Sequence, residues 1–122
     1  MNGTLYNQSG LMSTKILFIT AYDMDKYGGV QNQINLLSQK LNKLNYDTKI
    51  CAPNSLDYDL GKTISFPFNK SVVSVSLMPK RKVLKEAMEW ADIIHIHEPF
   101  IPLFFWRFRS KKKTIVTHHA SL

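Results

Sequence analysis

A short apolar run, a glycine pair and an amphipathic segment follow one another near the start of the chain. Residues 16–20 are apolar or β-branched throughout, which predicts a strand buried on both faces of a sheet. After Gly28 and Gly29, which allow positive φ and the close approach of a ligand, apolar side chains recur every three or four residues and predict a helix over residues 30–44. This order predicts an anion-binding loop at the carboxyl edge of the sheet, with a simple tight turn as the alternative.

Short apolar runs and helical segments alternate along the rest of the chain. An edge strand and a loop both fit residues 71–77, and a helix and a loop both fit residues 100–108. The polar residues 54–62 predict a loop. Further strands are predicted over residues 48–52, 63–66, 92–96 and 113–117, and a further helix over residues 79–90.

The alternation predicts an α/β fold, with a Rossmann-like, mainly parallel sheet and helices on both of its faces. Residues 1–14 are predicted to be a disordered leader, and residues 15–122 to form a single domain. We expect that domain to be truncated, because the helix that would cover the last strand is missing at Leu122. Right-handed crossovers bring four loops to one edge of the sheet, which is where ligands bind in such folds. These loops follow Thr20, Ala52, Ile96 and Thr117.

Hydrophobic residues make up 44% of the 122 residues and charged residues 20%, which is typical of a globular protein and not of a disordered one. The only cysteine, Cys51, excludes an internal disulfide framework, and its apolar neighbours predict a buried, inert thiol. The first residues have neither the basic start nor the apolar core of a signal peptide, and no run of about 18 apolar residues is present to span a membrane. These features predict a cytoplasmic protein.

The net charge of +7, from 16 basic and 9 acidic residues, is concentrated in two segments. One contains Lys80, Arg81, Lys82 and Lys85, and the other lies within residues 107–113. Such clustering favours an anionic partner. Neighbouring apolar side chains suit an anionic membrane surface or the core better than nucleic acid, which is not expected as a partner. A core helix with a solvated basic side is the alternative.

Common cofactor and metal motifs are incomplete in this chain. The dinucleotide motif G-x-G-x-x-G is not present, since only a glycine pair follows the first strand. Residues 61–63 imitate the end of a P-loop, but Leu56 stands where the first glycine is required. His95 and His97 share one face of a predicted strand without further ligands at suitable spacing, so we expect structural histidines and no metal.

Three segments carry a resemblance to a known family: residues 15–33 (KILFITAYDMDKYGGVQNQ), 91–99 (ADIIHIHEP) and 114–121 (TIVTHHAS). In this order they resemble the N-terminal half of family-four glycosyltransferases of the GT-B type, and most of all the bacterial phosphatidylinositol mannosyltransferases. The likeness extends over residues 15–122, which corresponds to the first part of such an enzyme.

The resemblance implies a hexosyltransferase that moves a sugar, with retention of configuration, to a lipid-linked or sugar acceptor at the membrane surface. The donor would be a GDP- or UDP-linked sugar, which is a substrate and not a permanently bound cofactor. The resemblance also implies two Rossmann-like domains facing across a cleft, of which this chain is the acceptor-side one. The C-terminal Rossmann-like domain, which makes most donor contacts, is missing, so we expect the fragment alone to be inactive.

Roles for individual residues follow from the same resemblance. Gly28 and Gly29 would offer backbone N–H groups to the donor diphosphate. Tyr22 and Gln31 would contact the acceptor, the alternatives being a plain loop aromatic and an exposed polar residue of the helix. His119 matches a family histidine that contacts acceptor and phosphate, and it is the expected catalytic residue.

This chain departs from the mannosyltransferases over residues 69–79, where they carry arginines near the acceptor phosphate and it carries Ser74 and Ser76. The departure weakens the case for phosphatidylinositol as the acceptor. The mannosyltransferases have a basic helix, associated with anionic membranes, that is similar to the one predicted here around residues 80–85. The alternative function is a non-catalytic, basic Rossmann-like module that binds anionic membrane or nucleic acid.

Overall fold

The protein forms a parallel sheet of five strands, in the order β3-β2-β1-β6-β7, and a separate antiparallel pair, β4 and β5. The computed structural model describes residues 13–68, 71–75, 80–97 and 111–117. The predicted α/β class with a mainly parallel sheet is confirmed. The strands are β1 (Lys15–Thr20), β2 (Asp47–Ala52), β3 (Tyr58–Asp59), β4 (Ile64–Phe68), β5 (Ser71–Val75), β6 (Ile93–His97) and β7 (Lys113–Thr117), and the helices are α1 (Gly29–Lys43) and α2 (Arg81–Trp90).

Strand β1 lies at the centre of the parallel sheet, between β2 and β6. Its residues 17–20 are fully buried, as their unbroken apolar and β-branched pattern predicts. On one face of the sheet Phe18 packs in a cluster with Ile34 of α1. On the other face Ile19 packs in a cluster with Leu84 of α2. The expected Rossmann-like arrangement, with helices on both faces, is therefore confirmed.

The expected loop over residues 54–62 was wrong in part, because it contains the short strand β3, which extends the sheet beyond β2. The backbone N–H of Leu60 donates to the carbonyl oxygen of Ala52 at 3.0 Å. The Leu60 side chain is buried. Leu60 in the core and Tyr58, which packs against it, thus hold an otherwise polar segment along the sheet edge.

Strands β4 and β5 form an antiparallel pair outside the parallel sheet. The strand predicted over residues 63–66 continues to Phe68 and includes Pro67, which a short edge strand tolerates. Residues 71–75 form a strand, which decides between the two alternatives for this segment. The alternation of apolar runs did not indicate that this pair leaves the sheet.

Several predicted boundaries meet the limits of the described residues. Helix α2 begins at Arg81, with Lys80 as its extended N-cap residue, whereas residue 79, the predicted start, lies outside the described ranges. Most of the predicted leader, residues 100–108 and everything after Thr117 also lie outside them. At the other end, the Thr14 carbonyl oxygen accepts a hydrogen bond from the N–H of Asp47 at 3.0 Å.

The C-terminal end of α2 is capped by a lysine from a distant part of the chain. The Nζ group of Lys112 donates to the carbonyl oxygens of Met88, at 2.7 Å, and Glu89, at 2.9 Å, and also to that of Ala91. The last turn of α2 contains no basic residue of its own. Lys112 therefore supplies both the donors that the terminal carbonyl groups need and the positive charge that the helix dipole favours.

We expect Lys112→Met to lower the free energy of unfolding by about 1–2 kcal/mol, because several carbonyl groups lose a charged donor. Urea denaturation followed by circular dichroism measures the change. Lys111→Met is the matched control, since Lys111 is exposed and precedes the same strand. Equal losses in the two variants would contradict a specific capping role.

Candidate functional site at the carboxyl edge

The carboxyl ends of the parallel strands meet at one edge of the sheet, which we call the carboxyl edge. Three segments lie together there: the β1–α1 loop, the β2–β3 loop and the β4–β5 pair. The N–H of Met24 donates to the carbonyl oxygen of Pro53 at 2.9 Å, and the N–H of Asp23 to that of Ser74 at 3.0 Å. Tyr22 also forms an isolated antiparallel bridge with Val75. The placement of the loops after β1 and β2 at one edge is therefore as predicted.

Strands β6 and β7 end at the same edge as β1. Thr20, at the end of β1, is in register with His97, which is in register with Thr117 at the end of β7. All these strands run parallel, so the last residues of β1, β6 and β7 are neighbours along the carboxyl edge. The predicted catalytic residue His119 and its neighbour His118 lie outside the described residues.

The glycine pair sits directly at the N-terminus of α1. Gly28 is the N-cap residue, with an extended backbone at φ 177, and its carbonyl oxygen accepts the N–H of Asn32 at 2.9 Å. Neither glycine of the pair uses the positive φ that glycine allows, which among the described glycines only Gly61 adopts. No side chain caps the helix, so the N–H groups of its first turn lack the usual side-chain acceptor.

The two glycines differ in what surrounds them. A Cβ atom at Gly28 would lie 2.6 Å from Oε1 of Gln31, so this glycine makes room for that side chain. A Cβ atom at Gly29 would meet nothing within 4 Å beyond its chain neighbours and the backbone of its own helix. The space in front of the helix N-terminus is thus open at Gly29 and filled by the protein's own side chain at Gly28.

Of the two predicted acceptor contacts, Gln31 lies against Gly28, whereas Tyr22 lies in the β1–α1 loop beside Val75 of β5. The Nε2 group of Gln31 donates to the carbonyl oxygen of Asp23 at 3.0 Å, and its side chain is half-buried. The backbone N–H of Tyr22 donates to Oγ1 of Thr20 at 3.3 Å. Gln31 therefore connects α1 to the β1–α1 loop by a hydrogen bond, in addition to its proposed contact with the acceptor.

Asp23 is the residue of this site that sequence reasoning missed. It is only 2% exposed although it lies in a polar loop. Its Oδ1 accepts the N–H of Asp25 at 2.9 Å, which is an Asx turn, and the Nδ2 group of Asn54 at 2.8 Å. The spacing of two aspartates two residues apart signals such a turn, but nothing local signals the burial.

His95 and His97 pack on the α1 side of the sheet. The Nε2 atom of His95 lies 2.7 Å from Oγ1 of Thr117. The two histidine ring centroids are 4.2 Å apart, and each is within 6 Å of the Phe18 ring, at 5.5 and 5.7 Å. Within the described residues no group of three or more metal-ligating side chains comes together.

Charge at the carboxyl edge is arranged by backbone groups as well as by side chains. The N–H groups of Gly61 and Asn54 donate to Asp59 and lower the pKa of its carboxyl group.

Cys51 is fully buried, and burial raises the pKa of its thiol to about 12. The thiol is therefore protonated at neutral pH and is not a nucleophile, as its apolar neighbours predict.

The basic cluster lies on the outer side of α2 and just before it. The inner side of this helix is buried in the core through Leu84 and Ala87. Its outer side also carries two exposed glutamates, Glu86 and Glu89. No helix in the described part of the chain is both long and apolar enough to cross a membrane. The exposed cations are Lys80, Arg81, Lys82 and Lys85.

Two curated proteins are similar to this chain over most of its length, although no family model matches it. One is a phosphatidyl-myo-inositol mannosyltransferase of Mycobacterium leprae, 31% identical over 121 residues, which cover 88% of this chain and 32% of that protein. The other has the same name and comes from Mycolicibacterium smegmatis, 33% identical over 98 residues, which cover 72% of this chain and 25% of that protein. The chain thus spans a third or less of the length of these relatives. Its similarity to two mannosyltransferases supports the resemblance of its motifs to the family-four glycosyltransferases of the GT-B type.

Proposed function

We propose that this chain is the acceptor-side, N-terminal part of a retaining glycosyltransferase. In this proposal a sugar passes from a nucleotide-sugar donor to a lipid-linked or sugar acceptor, and a second Rossmann-like domain completes the enzyme. The names of the two relatives support a transferase of this kind. The observation that carries the proposal is the open space at Gly29, in front of an uncapped helix N-terminus.

Gly29 has no structural reason to be glycine within the described residues. Its φ is not positive, and a Cβ atom there would meet nothing beyond its chain neighbours and the backbone of its own helix. Glycine in a helix is destabilising by up to about 1 kcal/mol relative to alanine. A ligand that must approach the backbone closely accounts for the residue, and a diphosphate suits the N–H groups and positive dipole end at this position.

The proposed chemistry at this loop is stabilisation of the leaving group. As the bond between sugar and nucleoside diphosphate breaks, negative charge grows on the diphosphate oxygens. Backbone N–H groups of Gly28 and Gly29, already oriented by the helix, would donate to those oxygens without reorganising. Water-filled sites lack such fixed donors, which is why an oriented loop accelerates this step.

Residues 21–29, between β1 and the first turn of α1, are called the glycine loop below. The acceptor is proposed to lie between this loop and the β4–β5 pair, near Tyr22 and Gln31. His119 is proposed to donate a hydrogen bond to an acceptor hydroxyl or a phosphate oxygen. On the β4–β5 side, Ser74 stands where the mannosyltransferases carry arginines, and its side chain is uncharged. It is buried, and its Oγ lies 2.6 Å from Oγ of Ser65. Serine at this position weakens the case for phosphatidylinositol as the acceptor.

Titration of the ¹⁵N-labelled chain with GDP and with UDP tests the donor site. We expect saturable shifts of the amide signals of Gly28, Gly29 and Val30, and weaker binding of the corresponding monophosphates, which carry less charge. Shifts confined to other parts of the sheet would contradict the proposal. The alternative, a non-catalytic basic module, predicts binding to anionic vesicles or nucleic acid without any response to nucleoside diphosphates.

A cytoplasmic protein peripheral to the inner face of the membrane is the proposed setting, supported by the exposed cations around α2. Each cation near an anionic surface contributes about 1 kcal/mol. We therefore expect Lys82→Gln with Lys85→Gln to weaken binding to phosphatidylglycerol vesicles by about tenfold or more. Vesicle co-sedimentation measures the change. Lys40→Gln with Lys43→Gln on α1 removes the same charge from exposed positions, and an equal loss there would show that net charge alone is responsible.

A further inference from the structure

Asp23 joins the segments that surround the glycine loop. Its backbone N–H reaches Ser74 of β5, and its Oδ1 accepts the Asn54 side chain from the β2–β3 loop. Its Oδ2 accepts the hydroxyl of Thr63, which leads into β4, at 3.3 Å. Its carbonyl oxygen accepts the side chain of Gln31 from α1. One buried residue therefore connects the loop to a helix, a neighbouring loop and the β4–β5 pair.

The same residue also shapes the loop itself. The Asx turn to Asp25 is followed by a backbone hydrogen bond from the N–H of Lys26 to the Asp23 carbonyl oxygen at 3.1 Å. These two bonds reverse the chain shortly before Gly28. The carboxylate itself accepts from Asp25, Asn54 and Thr63. Because it is almost fully buried, its oxygens need these three hydrogen bonds, and the bonds in turn fix the positions of the three donors.

We propose that Asp23 is a positioning residue that holds the glycine loop and Gln31 in the geometry that receives the donor diphosphate. This inference rests on the proposed function. Asp23 acts through the loop and touches no reacting atom. Its effect is preorganisation, since a loop that is already ordered loses less freedom when a ligand binds.

Two substitutions at Asp23 separate hydrogen bonding from charge. Asp23→Ala removes every side-chain acceptor, and we expect it to weaken GDP binding by about tenfold or more. Asp23→Asn retains one acceptor oxygen for Asp25 and Asn54, and its amide group faces the Thr63 hydroxyl, which can accept in turn. We therefore expect Asp23→Asn to recover most of the binding that Asp23→Ala loses.

A matched control separates positioning from general destabilisation. Lys112→Met also removes several hydrogen bonds, but these lie at the C-terminal end of α2, away from the glycine loop. GDP affinity is measured by isothermal titration at a temperature at which each variant is folded. A loss in Asp23→Ala that is absent from Lys112→Met supports the proposal. Equal affinities of Asp23→Ala and the unchanged chain, or equal losses in both variants, would overturn it.

If Asp23→Ala does not fold, Asn54→Gly takes its place. Asn54 has φ 60, a conformation that glycine accepts, so this substitution removes one donor to Asp23 with little backbone strain. We expect a smaller loss of GDP affinity and a shifted Gly29 amide signal. Unchanged affinity together with an unchanged signal would contradict the proposal.

Amide hydrogen exchange distinguishes failure of this inference from failure of the proposed function. Because the second domain of the proposed enzyme makes most donor contacts, nucleotide binding to this chain is expected to be weak and is followed by amide shifts up to millimolar nucleotide. If neither GDP nor UDP shifts the amide signals of Gly28, Gly29 and Val30, the donor site is refuted, whatever Asp23 does. The rate of amide exchange at Gly29 and Val30 still measures how well ordered the loop is. We expect this rate to be higher in Asp23→Ala than in Lys112→Met. Equal exchange in these two variants would refute positioning even if the chain binds nucleotide.

Discussion

Gly29→Ala is expected to weaken GDP binding by about 10- to 100-fold, because a methyl group in the open space keeps the diphosphate from the first-turn N–H groups, and hydrogen bonds to charged groups contribute about 1.5–3 kcal/mol each. The folded chain is expected to be as stable as before or slightly more stable. The methyl group meets nothing within 4 Å beyond its chain neighbours and the backbone of its own helix, and alanine favours the helix. Titration calorimetry and thermal denaturation of one preparation measure both quantities.

Gln33→Ala provides the control for this substitution. Gln33 is an exposed residue of the same helix, so its replacement changes helix propensity without changing the glycine loop. We expect unchanged affinity for GDP. If Gly29→Ala binds GDP as well as Gln33→Ala does, the loop is a tight turn and not a phosphate site. If Gly29→Ala instead loses stability, an unrecognised packing role accounts for the glycine.

Phe18→Ala is expected to lower the free energy of unfolding by about 3–5 kcal/mol, which is comparable to the total stability of a small domain. Phe18 is fully buried on the central strand. It packs in a cluster with Ile34 of α1 and lies against the rings of His95 and His97. Its removal would leave a cavity between the sheet and α1 that these neighbours cannot all move to fill.

Urea denaturation of Phe18→Ala measures this loss, and Leu56→Ala is the control. Leu56 is 103% exposed in the β2–β3 loop, so we expect its replacement to change stability by less than about 0.5 kcal/mol. A small effect of Phe18→Ala would mean that α1 contributes little to the core. A large effect of Leu56→Ala would mean that this side chain is covered in the folded protein.

Residues with similar sequence surroundings have different roles in the candidate site. Asp23 and Asp25 lie in one polar loop, yet Asp23 is buried and Asp25 is exposed. Gly28 and Gly29 are adjacent, yet only Gly28 lies against the Gln31 side chain. Local sequence predicted a glycine loop before a helix. It did not predict which members of that loop serve the fold and which are open to a ligand.

The sequence by itself determined the α/β class, the central buried strand, the edge at which the loops gather and the family relationship, since each depends on local periodicity or on short motifs. Only the tertiary structure decided the burial of Asp23, the Lys112 cap on α2, the added strand β3 and the separate β4–β5 pair. These features depend on partners far apart in the chain: the hydrogen bonds of Asp23 to Asn54 and Thr63 span 31 and 40 residues. Periodicity records which side of an element is apolar, but it carries no information about which distant donor will meet a given acceptor once the chain has folded.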